Sequence, residues 1–132
     1  MGMARTGDGE DVIVGIGIDV VGIERAAGLL ARHGPRLLAR CFAAGEVRRP
    51  ADAAHVAGLL AAKEAAVKAL GTGFSAGVGW RDAFVVRGEG GAPRLHLASA
   101  AARRATALGV QSAHLSITHA AGVAVAVVIL EA

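Results

Sequence analysis

Asp19, Glu64, Lys68 and His119 are the residues of this chain whose types and settings could do chemistry. Asp19 follows GIGI, at the expected end of an apolar, β-branched strand. A carboxylate where a buried strand surfaces suits a hard metal ion, and it equally suits the cap of a following helix. The stretch GIGIDVVG is not a dinucleotide fingerprint: the glycine spacing after the first pair is wrong, and no helix opens inside it. Glu64 lies in AAKEAAVKALGTG (61–73) and stands four residues before Lys68, so the two share a helix face. The ordinary outcome is a surface ion pair worth ~0.3–0.5 kcal/mol. The neighbours on that face, Leu60, Ala61, Val67 and Gly71, are small or apolar, and a glutamate among them calls for a partner, of which a cation is one candidate. In that reading Glu64 is a second oxygen ligand of a Mg²⁺ site, the kind built from one or two carboxylates and substrate phosphates. Lys68, with Lys63 nearby, would neutralise phosphate charge.

Gly71, Thr72 and Gly73 read either as a helix C-cap and loop or as amides that cradle an anion. A helix C-terminus is the wrong end of the macrodipole for phosphate, so loop amides and lysines would have to supply the attraction. His119 in LSITHAAG is either a turn histidine or a group beside cofactor phosphates or adenine. Cys41, His33, His55, His96 and His114 form no arrangement with a chemical meaning. Arg25, Arg32, Arg36, Arg40, Arg48 and Arg49 make a solvated face or a docking surface for an acidic partner.

The elements that must position these residues follow from pattern. The stretch 11–23 reads as a buried strand ending near Asp19, its glycines marking close approach of another backbone or a bend. Residues 24–34 read as a helix stopped by Gly34-Pro35, and 36–42 as a second short helical piece. The longest helix is expected over 52–70, capped by Asp52 and closed by Gly71. Strands at 80–88 and 94–97 flank a turn at 89–93. Ser99 is expected to cap a helix reaching Leu108, and 112–131 to form two strands around a turn at His119–Gly122. The order β-α-α-β-β-α-β-β implies an α+β fold, a mostly antiparallel sheet packed against helices. One domain is expected over 12–132, after a frayed tail at 1–11.

Composition narrows the class. The chain has 132 residues, 54% hydrophobic and only 3% aromatic, so its core is built from small side chains and needs close packing or an oligomer interface. A charge of +3 with few aromatics to stack bases argues against nucleic acid. The single cysteine, Cys41, forms no intrachain disulfide and fits a reducing cytoplasm. The longest apolar run, 121–130, is about half the ~20 residues a membrane span needs. The N-terminus lacks the apolar core of a signal peptide.

The ordered motifs resemble the holo-acyl-carrier-protein synthase family, the small 4'-phosphopantetheinyl transferases. GIGIDVVGIER resembles the first motif of that family, FAAGE (42–46) its Phe-x-x-x-Glu segment, and AAKEAAVKALGTG its Lys-Glu-Ala-x-x-Lys-Ala-x-Gly-Thr-Gly motif. GAPRLHL is similar to its Gly-x-Pro hairpin, and LSITHAAGVAVAVVILE to its closing strands. The resemblance covers about residues 12–131. It implies transfer of phosphopantetheine from coenzyme A to a serine of an apo acyl carrier protein, in fatty-acid or polyketide biosynthesis, with release of adenosine 3',5'-bisphosphate. It also implies Mg²⁺ held by Asp19 and Glu64, and a phosphate contact from Lys68. Coenzyme contacts would come from Gly71, Thr72, Gly73 and His119. Arg25 would meet an acidic carrier helix, and the protein would be a cytoplasmic homotrimer with sites shared between neighbouring chains. Two positions depart from the pattern. Gly22 replaces a common Glu, and Leu59 replaces a common Arg, which removes one cation near the coenzyme or the carrier. These departures prompt an alternative, a non-catalytic module that binds coenzyme A or the carrier.

Overall fold

A computed structural model describes residues 12–132; the expected tail at 1–11 lies outside the described residues. The elements are β1 (Ile13–Gly22), α1 (Ile23–Cys41), α2 (Ala53–Leu70), β2 (Ala83–Arg87), β3 (Pro93–Leu97), α3 (Ser99–Leu108), β4 (Ser112–Ala120) and β5 (Val123–Glu131). This is the expected order and the expected α+β class. β5 is the middle of a three-stranded antiparallel sheet ordered β1-β5-β4, and β2 and β3 form a separate antiparallel hairpin.

α2 is the centre of the molecule. Fourteen of its residues are buried, from His55 to Leu70, and most are Ala, Val or Leu. So alanine-rich a helix gains enough burial only by lying very close to its neighbours. Gly15 and Gly17 of β1 make that possible. A Cβ built on Gly15 would stand 2.1 Å from the Ala69 carbonyl oxygen, and one on Gly17 would stand 1.8 Å from that of Ala65. The glycines therefore mark backbone approach, as expected. At its other end α2 lies over β4, where a Cβ on Gly58 would meet Ile117 Cγ2 at 3.0 Å. The helix thus crosses the sheet from edge strand to edge strand.

Both ends of α2 are closed as the sequence implies. Asp52 Oδ1 accepts from the Ala54 and His55 amides at 3.1 and 3.2 Å. Gly71 takes φ 77, the left-handed conformation that a C-cap needs. The hairpin between β4 and β5 turns on Ala121 and Gly122 alone, with φ 53 and 80, the signature of a two-residue type I′ turn.

Several boundaries differ from expectation. β1 does not end near Asp19; it continues to Gly22, with Asp19 facing Ala126 across the ladder, because β5 offers pairing partners as far as Val123. Gly34-Pro35 bends α1 rather than ending it: the backbone leaves helical values at His33 (φ −134, ψ 15), which accommodates the proline ring. The strand expected from Trp80 begins at Ala83, because Trp80–Asp82 form a 3₁₀ turn whose Asp82 carboxylate accepts the Gly79 amide at 3.0 Å. Ser99 is not the N-cap of α3. Ala98 holds that place, its amide tied to Asp82 O at 2.8 Å, and Ser99 takes φ 51 with no side-chain cap bond.

Gly17→Ala should destabilise the protein by about 3 kcal/mol, since a methyl group must displace the backbone of α2. Gly34→Ala, with nothing within 4 Å of its Cβ position, should be neutral or slightly stabilising. Urea unfolding of the two variants distinguishes a packing constraint from a general intolerance of glycine replacement.

Candidate active site

Asp19 sits on the helix-facing side of β1, opposite the buried Ala126. Because Gly15 and Gly17 bring the last turns of α2 against the strand, the next inward-facing side chain along β1 meets the α2 face that carries Glu64 and Lys68. Lys68 Nζ donates to Asp19 Oδ1 at 2.8 Å and to Ile18 O at 3.1 Å. The lysine side chain is 56% exposed and the aspartate 13%, so the pair lies at the surface with its acid turned inward. The intrahelical Glu64–Lys68 ion pair, the ordinary alternative for that spacing, therefore yields to one across elements.

The other Asp19 oxygen, Oδ2, is buried and has no donor. The Glu64 carboxyl lies within hydrogen-bonding range of the Asp19 carboxyl and can bond it only when protonated. Burial, then the Asp19 carboxylate, pushes Glu64 up to about 7, against the opposing pull of Arg25 and Lys68. Burial also raises Asp19, but the hydrogen bond from Glu64 and the Lys68 ammonium outweigh it and leave Asp19 below its ordinary value. Two acids pressed together, with an unsatisfied buried oxygen, are a place where a cation or a proton is missing. Among the described residues no group of three His, Cys, Asp or Glu side chains could hold a metal. A two-carboxylate site leaves the remaining coordination to water or substrate oxygens, which suits Mg²⁺ rather than Zn²⁺.

A family profile for the 4'-phosphopantetheinyl transferase superfamily matches residues 15–128. The chain belongs to this superfamily. It is 51% identical over 123 residues to the holo-[acyl-carrier-protein] synthase of Nitratidesulfovibrio vulgaris Hildenborough, covering 91% of this chain and 99% of that one. It is 45% identical over 119 residues to that of Frankia casuarinae, covering 90% of this chain and 98% of that one. The crystal structure of Helicobacter pylori holo-[acyl-carrier-protein] synthase in complex with coenzyme A superposes with a TM-score of 0.78 at 32% identity, over 87% of this chain and 98% of that chain. The resemblance read from the motifs is thus correct, and the expected activity class, a 4'-phosphopantetheinyl transferase of the holo-acyl-carrier-protein synthase kind, stands.

Within this transferase fold, the other expected site residues fall in different places. Arg25 is exposed in the first turn of α1 and borders the same cavity as Glu64. His119 is not in the cluster: it lies on β4, two strands from Asp19 and on the order of 10 Å away in one chain. It borders a cavity with Arg49, His55 and Arg87 instead. The amides of Gly71, Thr72 and Gly73 do not face outward to an anion. They donate to Lys68 O at 3.0 Å and to Val67 O at 3.2 Å from both Thr72 and Gly73. Closing α2 uses all three, so any coenzyme contact here comes from loop shape rather than amide donation.

Lys63 corrects the picture of a lysine face. It points away from Lys68, is fully buried, and binds Glu46 Oε1 at 2.8 Å, Ala83 O at 2.7 Å and Trp80 O at 3.1 Å. Glu46 in turn accepts the Ala43 amide at 3.0 Å and the Val85 amide at 2.7 Å. Burial pulls the Lys63 ammonium below its ordinary value, against the attraction of Glu46. This pair, which sequence reasoning missed, joins α2, the 42–46 turn and β2. The available signal was Glu46 itself, an isolated acid in FAAGE. Arg104 was also missed: its Nε donates to Leu70 O at 2.9 Å and places a cation at the C-terminus of α2, where the macrodipole favours one.

Two outcomes follow. Lys63→Met should cost about 3–5 kcal/mol, because Glu46 is left charged and unpaired in the core; adding Glu46→Gln should recover part of that loss in denaturant unfolding. For Glu64 the folded value of about 7 exceeds the ordinary 4.5, so the folded protein holds a proton that the unfolded chain has released between those values. The associated stability is present below about pH 4.5 and lost as pH rises through about 7. Without divalent ions the thermal midpoint should fall across that window, and Glu64→Gln should flatten the profile and melt higher than the parent at pH 8.

Proposed function

We propose that Asp19 and Glu64 hold a Mg²⁺ ion, and that this site transfers 4'-phosphopantetheine from coenzyme A to a serine hydroxyl of an apo acyl carrier protein, releasing adenosine 3',5'-bisphosphate. The observation that carries the reading is the orphaned, buried Asp19 Oδ2, in a carboxylate paired with the raised Glu64 carboxyl. A divalent cation there would satisfy both acids, and when bound would draw charge from the phosphate oxygens that otherwise repel an incoming hydroxyl. Asp19 orients through its second oxygen, fixed by Lys68. Lys68 is half-exposed, and its ammonium, held at Asp19, contacts a phosphate of the coenzyme as a point charge. Gly71, Thr72 and Gly73 border the coenzyme as the turn that ends α2.

The exposed arginines of α1, Arg25, Arg32, Arg36 and Arg40, support an acidic carrier as partner, with Arg25 closest to the acids. Ile13, Ile16, Ile18 and Val20 are 55–61% exposed along the edge strand β1. Such an apolar strip favours self-association. Together with the distance between His119 and Asp19, it supports the homotrimer, in which His119 of one chain meets the coenzyme held by the next. The cytoplasm is the proposed setting, on the strength of the lone, free Cys41; no helix among the described residues is long and apolar enough to cross a membrane.

Intact mass spectrometry of apo acyl carrier protein incubated with this protein, coenzyme A and Mg²⁺ tests the proposal. The carrier should gain one phosphopantetheine, and EDTA should abolish the gain. Glu64→Ala should fold and lose transfer by at least ~100-fold, the scale of one lost electrostatic stabiliser. Near-normal transfer by that variant would sink the assignment of Glu64. Coenzyme binding without any mass gain would identify a binding module.

A further inference from the structure

The segment 47–51 crosses between two fixed points without helix or strand. Before it, Glu46 is buried against Lys63. After it, Asp52 caps α2. Between them, Arg48 borders one cavity and Arg49 another, and Leu59 and Arg87 line both. Arg49 Nε reaches Asp52 Oδ2 at 3.2 Å, but this pair is well exposed and holds little. The firmer tie is the Arg48 amide, which donates to His55 Nε2 at 3.1 Å. His55 is buried in the first turn of α2, the central helix of the fold.

That bond fixes the state of the ring. A ring nitrogen that accepts carries no proton, so His55 is neutral with its proton on Nδ1. Burial is the main cause that holds it below its ordinary value, followed by Arg49 and Arg87; Asp52 pulls the other way, and Arg48 adds to the depression. His119 of β4 borders the same cavity of about 160 Å³. Protonation would set one N–H against another and add a cation among three arginines. As pH falls through the ordinary value of 6.5, a released ring takes up a proton that the bonded ring refuses. The tie therefore stands in full above that pH and weakens below it.

We propose that His55 is a positioning residue for coenzyme binding: its neutral ring holds the Arg48 amide, and through it sets the place of the loop that brings Arg48 and Arg49 to their cavities. The proposal rests on the reading above, in which the coenzyme reaches His119. The acceptor nitrogen of His55 is occupied by a main-chain amide, so the guanidiniums, not the ring, face the anion. Leu59 offers no cation from the helix, which leaves this wall dependent on where the loop stands. Glu64 lies nine residues further along α2, roughly 13 Å up its axis, so the chemistry is out of reach of His55.

The test compares the parent with His55→Phe, which removes the acceptor, and His55→Gln, whose amide oxygen replaces it without titrating. Calorimetry in Mg²⁺ buffer measures the Kd for coenzyme A, and transfer assays separate KM from kcat. At pH 8, His55→Phe should bind coenzyme A up to about tenfold more weakly, the scale of one lost hydrogen bond. The loss should appear in the KM for coenzyme A and not in kcat, and His55→Gln should recover it. From pH 8 to pH 6 the Kd of the parent relative to that of His55→Gln should rise up to about fourfold, since roughly three quarters of released imidazoles are protonated at pH 6. That ratio cancels the titration of His119 and of the acids. The parent alone supplies a further readout: imidazole ¹⁵N shifts should show an unprotonated Nε2, and the Arg48 amide should exchange slowly in the parent and His55→Gln but fast in His55→Phe. A proton on Nε2 overturns the proposal. So does unchanged coenzyme affinity in a His55→Phe protein whose Arg48 amide has lost its protection. Tighter binding by the parent at pH 6, with His55→Gln as weak as His55→Phe, also overturns it, because the ring would then be a direct cationic contact. Failure of the transferase reading looks different: the parent would add no mass to any carrier, while the Nε2 state, the Arg48 exchange and the coenzyme Kd would still decide the role of His55.

Discussion

The contact on which the rest depends is backbone against backbone: α2 pressed onto β1 at Gly15 and Gly17. Helices normally pack on sheets through a layer of side chains. Here that layer is missing at two positions, and the carbonyls of Ala65 and Ala69 occupy the space where β-carbons would be. The consequence reaches the chemistry directly. Asp19, two residues beyond Gly17 on the same side of the strand, is carried to the flank of the helix, where its short side chain reaches Lys68 and adjoins Glu64. A bulkier residue at 15 or 17 would lift the helix and open the acid pair. The glycines are as much a part of the site as the acids.

The two lysines of α2 show how one helix divides its charges. Lys63 and Lys68 are five residues apart, roughly 140° around the helix. Lys63 therefore faces the core, where it meets a carboxylate and two carbonyls, a set that satisfies all three ammonium protons. Lys68 faces the rim, where its ion pair contributes little to stability and stays free to exchange partners. The buried pair holds β2 and the 42–46 turn against α2. The exposed pair leaves its cation available to an anion. Sequence identity of residue type hides this split, because both are lysines in an alanine-rich stretch.

Much of this was legible in the sequence. Element order, the Asp52 and Gly71 caps, the backbone approach at Gly15 and Gly17, and the pairing of Asp19 with the Glu64–Lys68 face all follow from local pattern and ordered motifs. What was not legible depended on tertiary partners. β1 outruns Asp19 because β5 is long enough to pair with it. Ser99 loses its capping role because Asp82 O holds the residue before it. Lys63 could be placed inward only by knowing that Glu46, remote in sequence, sits under it. The 71–73 amides looked free because sequence cannot show that all three fold back onto the carbonyls of Val67 and Lys68.

The departures at Gly22 and Leu59 can be judged against this geometry. Gly22 is the N-cap of α1, and a Cβ there would meet only Arg25, at 3.8 Å or more. No steric constraint demands glycine, so the missing acid removes negative charge beside Arg25 without altering the backbone. Leu59 is a different case. It is 2% exposed and lines two cavities, both of which also include Arg87 of β2. Arg48 and Arg49 enter one cavity each. The positive charge along this wall is therefore supplied by β2 and the loop before α2, and the helix contributes an apolar surface. Losing the arginine at 59 changes which element carries the cation more than whether one is present, and the acids at 19 and 64 are untouched by it. That separation, an acid pair on the β1–α2 seam and arginines on the neighbouring walls, is what allows a departure at 59 to coexist with an intact acid pair.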